Sequence, residues 1–242
     1  MGLLDEPRHV YVYDGALPRS PRPPWNYALT FAIEGLTNEY SGTATFLRGG
    51  KLVEVPAITE PEAVEFPPIG TLEAFVTSGG LSTAPWTFLG RLATLENKTL
   101  RYPGHYAQLR AFADLGLLGT ASIRAGGQKV VPRQVFQALF ERQLTPDGPP
   151  KDLGLIRCRA IGLKDGVPRE ARVELVDAYD EATGFTAMER LTGCHAAIVA
   201  EMIASKEVPP GAHSVEAGVP AEALVDRARA RGFRVVERYI PG

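Results

Sequence analysis

Cysteine, methionine and histidine are all scarce in this chain. Its 242 residues include two cysteines, three methionines and four histidines. Cys158 and Cys194 are too few for a disulfide framework or a cysteine zinc site. The histidines are too scattered along the sequence to indicate a metal site. We therefore expect two ordinary thiols in a cytoplasmic protein, and no metal.

Long apolar runs and an excess of one charge are also lacking. No run of about eighteen apolar residues occurs, so the sequence predicts no membrane span. The N-terminus has no basic region followed by an apolar core, so it predicts no signal peptide. Lys and Arg number 26 against 28 Asp and Glu. This near balance gives no general attraction to nucleic acid or to an anionic membrane, and we expect neither as a partner.

The motifs of several enzyme classes are missing. No G-x-G-x-x-G follows a predicted strand, which excludes a dinucleotide-binding βαβ unit from this chain. A phosphate-loop lysine motif, His-Glu-x-x-His and Gly-x-Ser-x-Gly are absent as well. We expect the chain alone to bind neither NAD nor NADP, because the loop that cradles the phosphates is not in it.

What remains has the composition of a soluble globular protein, with 45% apolar and 22% charged residues. Strands are predicted at residues 8–14, 27–33, 44–47, 51–55, 72–76, 153–162, 169–179 and 235–239, and one more ends near residue 100. Helices are predicted at residues 105–117, from 132 onward, at 186–206 with an interruption near 193, and at 221–232. Residues 56–70 are predicted to be a connecting loop. Arg48-Gly49-Gly50 and Asp165-Gly166 mark hairpin turns.

The order of these elements indicates the fold class. Strands followed by helices and then a hairpin predict an α+β domain with a mixed, largely antiparallel sheet. We expect the helices to cover mainly one face of that sheet. Apolar residues of strands 153–162 and 169–179 lie on both sides of the alternation, so we expect a second copy of the chain to cover the other face, giving a homodimer.

The segment Thr99–His105 combines a guanidinium, a phenol and an imidazole around a Pro-Gly break. Pro-Gly marks a turn, so a strand ends near Leu100 and a helix begins just after it. Polar groups at a strand end, beside a helix N-terminus, are well placed to hold an anionic small molecule. The alternative is that Arg101 and Tyr102 only fix a loop and that His105 only starts a helix.

Two other segments invite a catalytic interpretation. Ser82 and Thr83 follow a Gly-Gly turn, but no base can be assigned to Ser82, and the Ala84-Pro85 that follows favours helix capping over nucleophilic catalysis. Cys194 and His195 are adjacent, and neighbouring helical residues point about 100° apart. We therefore expect a packed, inert thiol there.

Taken together and in order, a set of short segments resembles the C-terminal domain of the saccharopine dehydrogenase family, close to saccharopine dehydrogenase-like and lysine 6-dehydrogenase proteins. These segments are Gly15-Ala16-Leu17-Pro18, Pro23-Pro24-Trp25-Asn26-Tyr27, Leu72-Glu73-Ala74-Phe75, Gly80-Leu81-Ser82-Thr83, the Thr99–His105 segment, Pro132-Arg133, Asp165-Gly166, Tyr179-Asp180-Glu181-Ala182-Thr183-Gly184 and Thr192-Gly193.

The chain departs from the family pattern in two ways. Family members begin with a nucleotide-binding Rossmann domain, which this sequence lacks, and they usually carry an aromatic or small residue and a proline where Cys194-His195 stands. We divide the chain into residues 1–26, a lead-in from the missing Rossmann half, and residues 27–242, the family's C-terminal domain. Met1 is either an internal methionine of a longer reading frame or the start of a separated half, whose Rossmann partner is another chain.

The resemblance implies an oxidoreductase that transfers a hydride between NAD or NADP and the carbon of a C–N bond in an amino-acid substrate. It implies that Arg101 binds a substrate carboxylate through its bidentate fork, the alternative being an internal ion pair. Tyr102 and His105 are candidates for substrate hydrogen bonding or proton transfer. The weaker candidates are Ser82, Thr83 and Thr77 as donors to a carboxylate, Glu73 as either an ammonium ligand or a solvated strand residue, and Asn26.

Three functions remain open at this level. The chain is the substrate-binding and dimerising part of a saccharopine dehydrogenase-like enzyme of lysine metabolism, or the same part of a lysine 6-dehydrogenase-like enzyme. The third option is a non-catalytic amino-acid-binding or oligomerisation module. We expect the isolated chain to be inactive. We also expect Ser82, Thr83, Arg101, Tyr102 and His105 to converge on one concavity, because the turns after strand 72–76 and after Leu100 would open on the same rim of the sheet.

Overall fold

Eleven strands and seven helices are formed by residues 2–241, the part of the chain that the computed structural model describes. The strands are β1 (Glu6–Pro18), β2 (Thr43–Arg48), β3 (Lys51–Pro56), β4 (Thr59–Phe66), β5 (Gly70–Val76), β6 (Thr94–Arg101), β7 (Ile123–Ala125), β8 (Gln128–Val130), β9 (Asp152–Lys164), β10 (Val167–Ala178) and β11 (Val235–Pro241). The helices are α1 (Ile33–Glu39), α2 (Ala84–Thr87), α3 (His105–Asp114), α4 (Pro132–Leu144), α5 (Ala187–Ala204), α6 (Val215–Gly218) and α7 (Ala221–Ala230).

Nine strands form one sheet in the order β11-β10-β9-β1-β6-β2-β3, with β5 and β4 attached beside β6. Strand β6 pairs with β2 through its N-terminal half and with β5 through its C-terminal half. The pair β1 and β6 is parallel, and the other pairs in this sheet are antiparallel. The predicted class, an α+β fold with a mixed and largely antiparallel sheet, is confirmed. No Rossmann fold occurs within residues 2–241.

The turn chemistry read from the sequence forms the expected hairpins. Asp165 and Gly166, which join β9 to β10, both have positive φ, at 51° and 72°. Gly49 and Gly50, which join β2 to β3, have φ of 57° and 73°. Two successive residues in the left-handed region match the twist of the flanking strands. The Asp165-Gly166 turn therefore forms the long β9–β10 hairpin, and Gly49-Gly50 forms the β2–β3 hairpin.

Three element predictions were wrong. Residues 27–33 do not form a strand, because Leu29 and Phe31 pack into an apolar cluster beside helices α1, α3 and α4, and Ile33 begins α1. The predicted loop at 56–70 contains β4, which pairs with β5 alone; an edge strand tolerates its proline and exposed glutamates. Helix α5 continues through Gly193, an exposed position where nothing packs.

Strand β1 lies within residues 1–26, the lead-in defined above. It pairs with β6 on one side and with β9 on the other, so it is a central strand of the sheet. The lead-in and the remainder of the chain therefore share one sheet.

Helices pack on one face of this sheet, which we call the helical face. Along β1 and β6 this face carries Val12, Asp14 and Asn97. Helix α5 covers it at Gly154, where a Cβ would meet Leu191 at 2.3 Å.

The opposite face, which we call the open face, carries a ladder of ion pairs across β9 and β10. Arg157 binds Glu174 at 2.6 Å, and Arg159 and Arg172 both bind Glu170 at 2.7 Å. Strands β4 and β5 bend over one end of this face. The Arg157 guanidinium lies 4.1 Å from the centre of the Phe66 ring, although the strands that carry them would be roughly 19 Å apart in a flat sheet.

Candidate functional site

Arg101 ends strand β6 and is almost fully enclosed, with 3% of its surface exposed. Its Nε donates to the Tyr40 hydroxyl oxygen at 3.1 Å, Nη1 donates to the Leu100 carbonyl at 2.9 Å, and Nη2 donates to Glu39 Oε2 at 3.2 Å. The guanidinium also lies 5.0 Å from the centre of the Tyr27 ring. Arg101 is therefore engaged in an internal ion pair, the alternative that the sequence left open for it.

His105 continues the same network. The Arg101 Nε can only donate, so the Tyr40 oxygen accepts and its O–H is free to donate to His105 Nε2 at 2.9 Å. This leaves the proton on Nδ1, which faces the Trp25 carbonyl at 3.5 Å. Burial, together with the charge of Arg101, lowers the pKa of His105 to about 3. His105 is consequently a neutral, hydrogen-bonded residue at neutral pH.

Tyr102 and Glu73 have structural partners of their own. The Tyr102 hydroxyl donates to the Pro18 carbonyl at 2.9 Å, and its ring packs in the open-face cluster around Leu100, away from Arg101. Glu73 accepts hydrogen bonds from the backbone N–H groups of Gly104 and Tyr106, at the start of α3. A carboxylate at this place caps the helix, because the first N–H groups of a helix have no partner within it.

The remaining predicted residues are dispersed. Asn26 has a φ of 50°, and its N–H donates to the Arg22 carbonyl at 2.9 Å. Thr83 precedes α2, but its hydroxyl donates to Glu216 at 2.8 Å instead of capping the helix. Ser82 is exposed, with a φ of 47°.

The expected convergence on one rim is wrong, for a topological reason. Strands β5 and β6 are antiparallel, with Glu73 opposite Arg101 and Phe75 opposite Thr99. The turn after β5 therefore lies toward the N-terminal half of β6, where Gly80 packs against Asn97. Ser82 and Thr83 sit beyond that end, whereas Arg101 and His105 lie at the other end of β6.

The structure instead brings together six polar side chains on the helical face. This polar cluster consists of Asp14, Glu39, Thr77, Asn97, Thr99 and Arg101. Asn97 Nδ2 donates to Asp14 Oδ1 at 2.6 Å, and the hydroxyls of Thr77 and Thr99 are 2.6 Å apart. Of these residues, sequence reasoning selected Arg101 and Thr77. A pattern in strand β6 could have indicated the cluster. Positions 97, 99 and 101, which share one face of this central strand, are all polar.

An opening in the helical cover adjoins the polar cluster. Ile156 lies directly across from Asp14 on the central strand β9, yet it is 37% exposed. Val12, Asp14 and Cys158 around it are half-buried. We call the space over these four side chains the central cleft.

Three groups of packed side chains and helices border the central cleft. Helices α1 and α3 cover the side of Phe75, α5 covers Gly154, and Leu81 and Phe88 pack around Val10 and Leu95. A half-exposed apolar floor between covered regions is typical of a binding cleft.

The electrostatics of the polar cluster favour neutral carboxyls more than usual. Burial raises the pKa of Asp14, although part of this residue stays in solvent, while Asn97 and Arg101 act in the opposite direction. Burial also raises the pKa of Glu39; Arg101 opposes this, and the charge of Asp14 adds to it. The two carboxyl groups are therefore close enough to influence each other.

A second recess, of about 500 Å³, lies between residues 18–28 and 143–151. Prolines form much of its wall, together with Trp25 and Lys151. Tyr27 also lines it, and so connects it to the Arg101 network. Within residues 2–241, no group of three or more His, Cys, Asp or Glu side chains is arranged to hold a metal ion. No helix of this region is both long and apolar enough to cross a bilayer.

A mixed sheet with helices on one face and an opening over its central strands defines an α+β domain. A sequence model described as "Saccharopine dehydrogenase C-terminal domain" matches residues 4–232. The chain belongs to this family.

The fold is also similar to a solved structure, "Apo histidine-tagged saccharopine dehydrogenase (L-Glu forming) from Saccharomyces cerevisiae". The TM-score is 0.75 at 15% sequence identity, and the match covers 97% of this chain and 67% of that chain. At this identity the similarity shows a shared fold.

Members of this family are generally NAD(P)-dependent, and residues 2–241 do not form the turn that holds a dinucleotide. The parallel pair β1 and β6 is the only place within residues 2–241 where a βαβ-like crossover could form. Strand β1 is followed by the proline-rich segment 18–24 instead of a glycine-rich turn into a helix. A pyrophosphate needs that turn and the helix N-terminus behind it.

Proposed function

We propose that this chain is the substrate-binding and catalytic domain of an oxidoreductase acting on the C–N bond of an amino-acid substrate in lysine metabolism. The observation that carries the proposal is the central cleft, an opening over the middle of the sheet with the polar cluster beside it. Membership of the saccharopine dehydrogenase C-terminal domain family supports the reaction class.

In this proposal the substrate lies on Val12 and Ile156, which present apolar surface to its alkyl chain. Asp14 is the carboxyl group beside this surface, directly across from Ile156, whereas Thr77 and Thr99 are buried and their hydroxyls bond each other. Arg101 and His105 act as positioning residues, because both are enclosed and hydrogen-bonded to Tyr40. Their network holds Glu39 at the edge of the cluster.

The proposal assigns NAD or NADP to a nucleotide-binding domain outside residues 2–241, on the same polypeptide or on a separate chain. It also places the protein in the cytoplasm as a homodimer. In the assembled enzyme, that domain would supply the hydride acceptor, and the present chain would bind and orient the amino acid.

Calorimetry on the full chain tests whether it binds the amino acid and not the nucleotide. We expect saccharopine or L-lysine to bind with a dissociation constant of about 1 mM or below, and NAD and NADP to show no binding. Preference for saccharopine would favour the saccharopine dehydrogenase-like assignment, and preference for L-lysine the lysine 6-dehydrogenase-like one. Micromolar binding of either nucleotide, or no binding of any amino acid, would contradict the proposal.

A pair of matched variants locates the binding. Ile156→Arg places a long cationic side chain in the central cleft and should abolish amino-acid binding. Leu52→Arg is the control, because Leu52 is also a 37% exposed aliphatic residue on a strand, but on the edge strand β3. Equal binding by the two variants would show that the central cleft is not the site.

A further inference from the structure

We infer that Asp14 and Glu39 form a cation subsite that binds the ammonium group of an amine ligand in the central cleft; this inference rests on the proposed function and specifies which end of the substrate lies there. The sequence alone suggested the opposite polarity, with Arg101 as a receptor for a carboxylate. The structure encloses Arg101 and leaves a carboxylate facing the cleft.

When both carboxyl groups are ionised, the charges of the polar cluster do not cancel. It holds two carboxyl groups and one guanidinium, and that guanidinium is bound to Glu39. Asp14 has no ion pair within residues 2–241; its hydrogen-bond partner is the neutral amide of Asn97. A carboxylate partly removed from water in the middle of a central strand is costly unless it is paired. A ligand cation would supply the missing partner.

Asp14 is also held in a defined orientation. Asn97 is 2% exposed, and its Oδ1 is a buried atom without a hydrogen-bond partner within residues 2–241. Gly80 lies against this amide, because a Cβ there would come within 1.8 Å of Asn97 Oδ1. The glycine therefore makes room for Asn97, and Asn97 fixes Asp14. The amide therefore presents its Nδ2 to Asp14 and its Oδ1 to Gly80, which leaves the carboxylate of Asp14, and not the amide oxygen, as the acceptor for a ligand.

The surroundings favour an ammonium over other cations. Val12 and Ile156 flank Asp14 and offer apolar contact to an alkyl chain. A primary ammonium has three donors, which suit the carboxylate of Asp14 and the free oxygen positions of Glu39. A metal ion would need further ligands, and no third acidic, histidine or cysteine side chain joins the two carboxyls within residues 2–241.

The test compares probes that carry only one kind of charge. Calorimetry on the full chain with 1,5-diaminopentane, which has ammonium groups and no carboxylate, should show binding, and glutarate should show none. Asp14→Asn keeps the shape of the side chain and should weaken diamine binding by about tenfold or more. Asp226→Asn, on exposed α7, should leave binding unchanged. Binding of glutarate, binding of magnesium in place of the diamine, or unchanged affinity in Asp14→Asn would overturn the inference.

A second measurement needs no ligand. Because Ile156 is the direct cross-strand neighbour of Asp14, Ile156→Lys brings an ammonium to the carboxylate, whereas Ile156→Glu brings a like charge. The Lys variant should melt at a higher temperature than the Glu variant. An equal or reversed order would show that Asp14 does not accept a cation there.

The two proposals fail in different ways. If saccharopine or L-lysine binds the wild type and Asp14→Asn equally, the cation subsite is wrong and the proposed function stands. If the diamine binds through Asp14 but no amino acid binds, the subsite stands and the proposed function is wrong.

Discussion

Arg101 has a side chain suited to binding an anionic ligand, but its hydrogen bonds are all made within the protein. Its three donor nitrogens reach Tyr40, the Leu100 carbonyl and Glu39, so one side chain joins α1 to the end of β6. Burying a guanidinium is tolerated only when its donors are satisfied, and removing one partner leaves the others unpaired. We therefore expect the network to stabilise the fold.

Arg101→Lys keeps the charge and removes the planar fork. We expect the free energy of unfolding to fall by about 1.5–3 kcal/mol, the usual range for hydrogen bonds to charged groups. Urea denaturation followed by circular dichroism measures this loss. Arg124→Lys, on the exposed strand β7, is the control and should be near neutral. A change below about 0.5 kcal/mol at Arg101 would show that the contacts are not energetically coupled to folding.

His105 gives the folded protein a dependence on acid. Its pKa is about 3 in the folded state against 6.5 as the ordinary value. Between these pH values the unfolded chain binds a proton and the folded chain does not, so stability is complete above pH 6.5 and decreases as the pH falls toward 3. The slope for one such group is up to about 1.4 kcal/mol per pH unit.

His105→Gln should remove this slope. The stability difference between wild type and variant should be largest at pH 7 and shrink as the pH is lowered to 4, when both are followed by urea denaturation. Exposed His195→Gln on α5 serves as the control. Parallel stability curves for wild type and His105→Gln would show that the pKa of His105 is not lowered in the folded state.

Among the elements, helix α3 depends on a residue from another strand. Its N-cap position is Gly104, which has no side chain to cap the helix. Glu73 on β5 accepts the N–H groups of Gly104 and Tyr106 in its place. The start of α3 is thereby attached to the sheet, and His105, its first residue, is placed against Tyr40.

Glu73→Gln keeps one acceptor oxygen and removes the charge at this helix end. We expect a loss of about 1 kcal/mol in unfolding free energy, from the cap and the helix dipole together, and no change in amino-acid binding. Glu141→Gln, exposed within α4, is the control. If amino-acid binding were lost while stability stayed unchanged, Glu73 would be an ammonium ligand after all.

Elements defined by local chemistry were predictable from the sequence, and those defined by distant packing were not. The Asp165-Gly166 turn fixed β9 and β10 because its backbone conformation is intrinsic to those residues. Residues 27–33 have the composition of a strand. Their apolar side chains instead pack in a cluster with helices that lie far away in the sequence.

The same division holds for the candidate site. Arg101 and His105 were recognisable within one short segment, whereas their partners Glu39 and Tyr40 lie more than sixty residues away. Asp14 meets Asn97 only because β1 and β6 pair in parallel. No hairpin turn joins these two strands, so turn chemistry cannot specify their register, and the pairing is recognised only in the assembled sheet.

At the scale of the whole molecule, the open face remains to be explained. Helices α2, α3, α5 and α7 contact the sheet from the helical face. The open face carries Arg157, Glu170 and Glu174, whose side chains are already largely shielded in the single chain. A surface with charges of alternating sign, repeated across two strands, is self-complementary under a two-fold rotation. We therefore expect a second copy to pack there.

Sedimentation at about 10 μM should give a particle of twice the 26.1 kDa chain mass. Arg159→Glu places a like charge beside Glu170 and should shift the equilibrium toward monomer. Arg124→Glu, on the isolated β7–β8 hairpin, should leave the dimer intact. Because salt screens the attraction between the charges of the two copies, the wild-type dimer should also weaken between low and high ionic strength. A monomer under all these conditions would mean that the open face meets water, as one face of an antiparallel sheet can, and that its ion pairs serve the single chain alone.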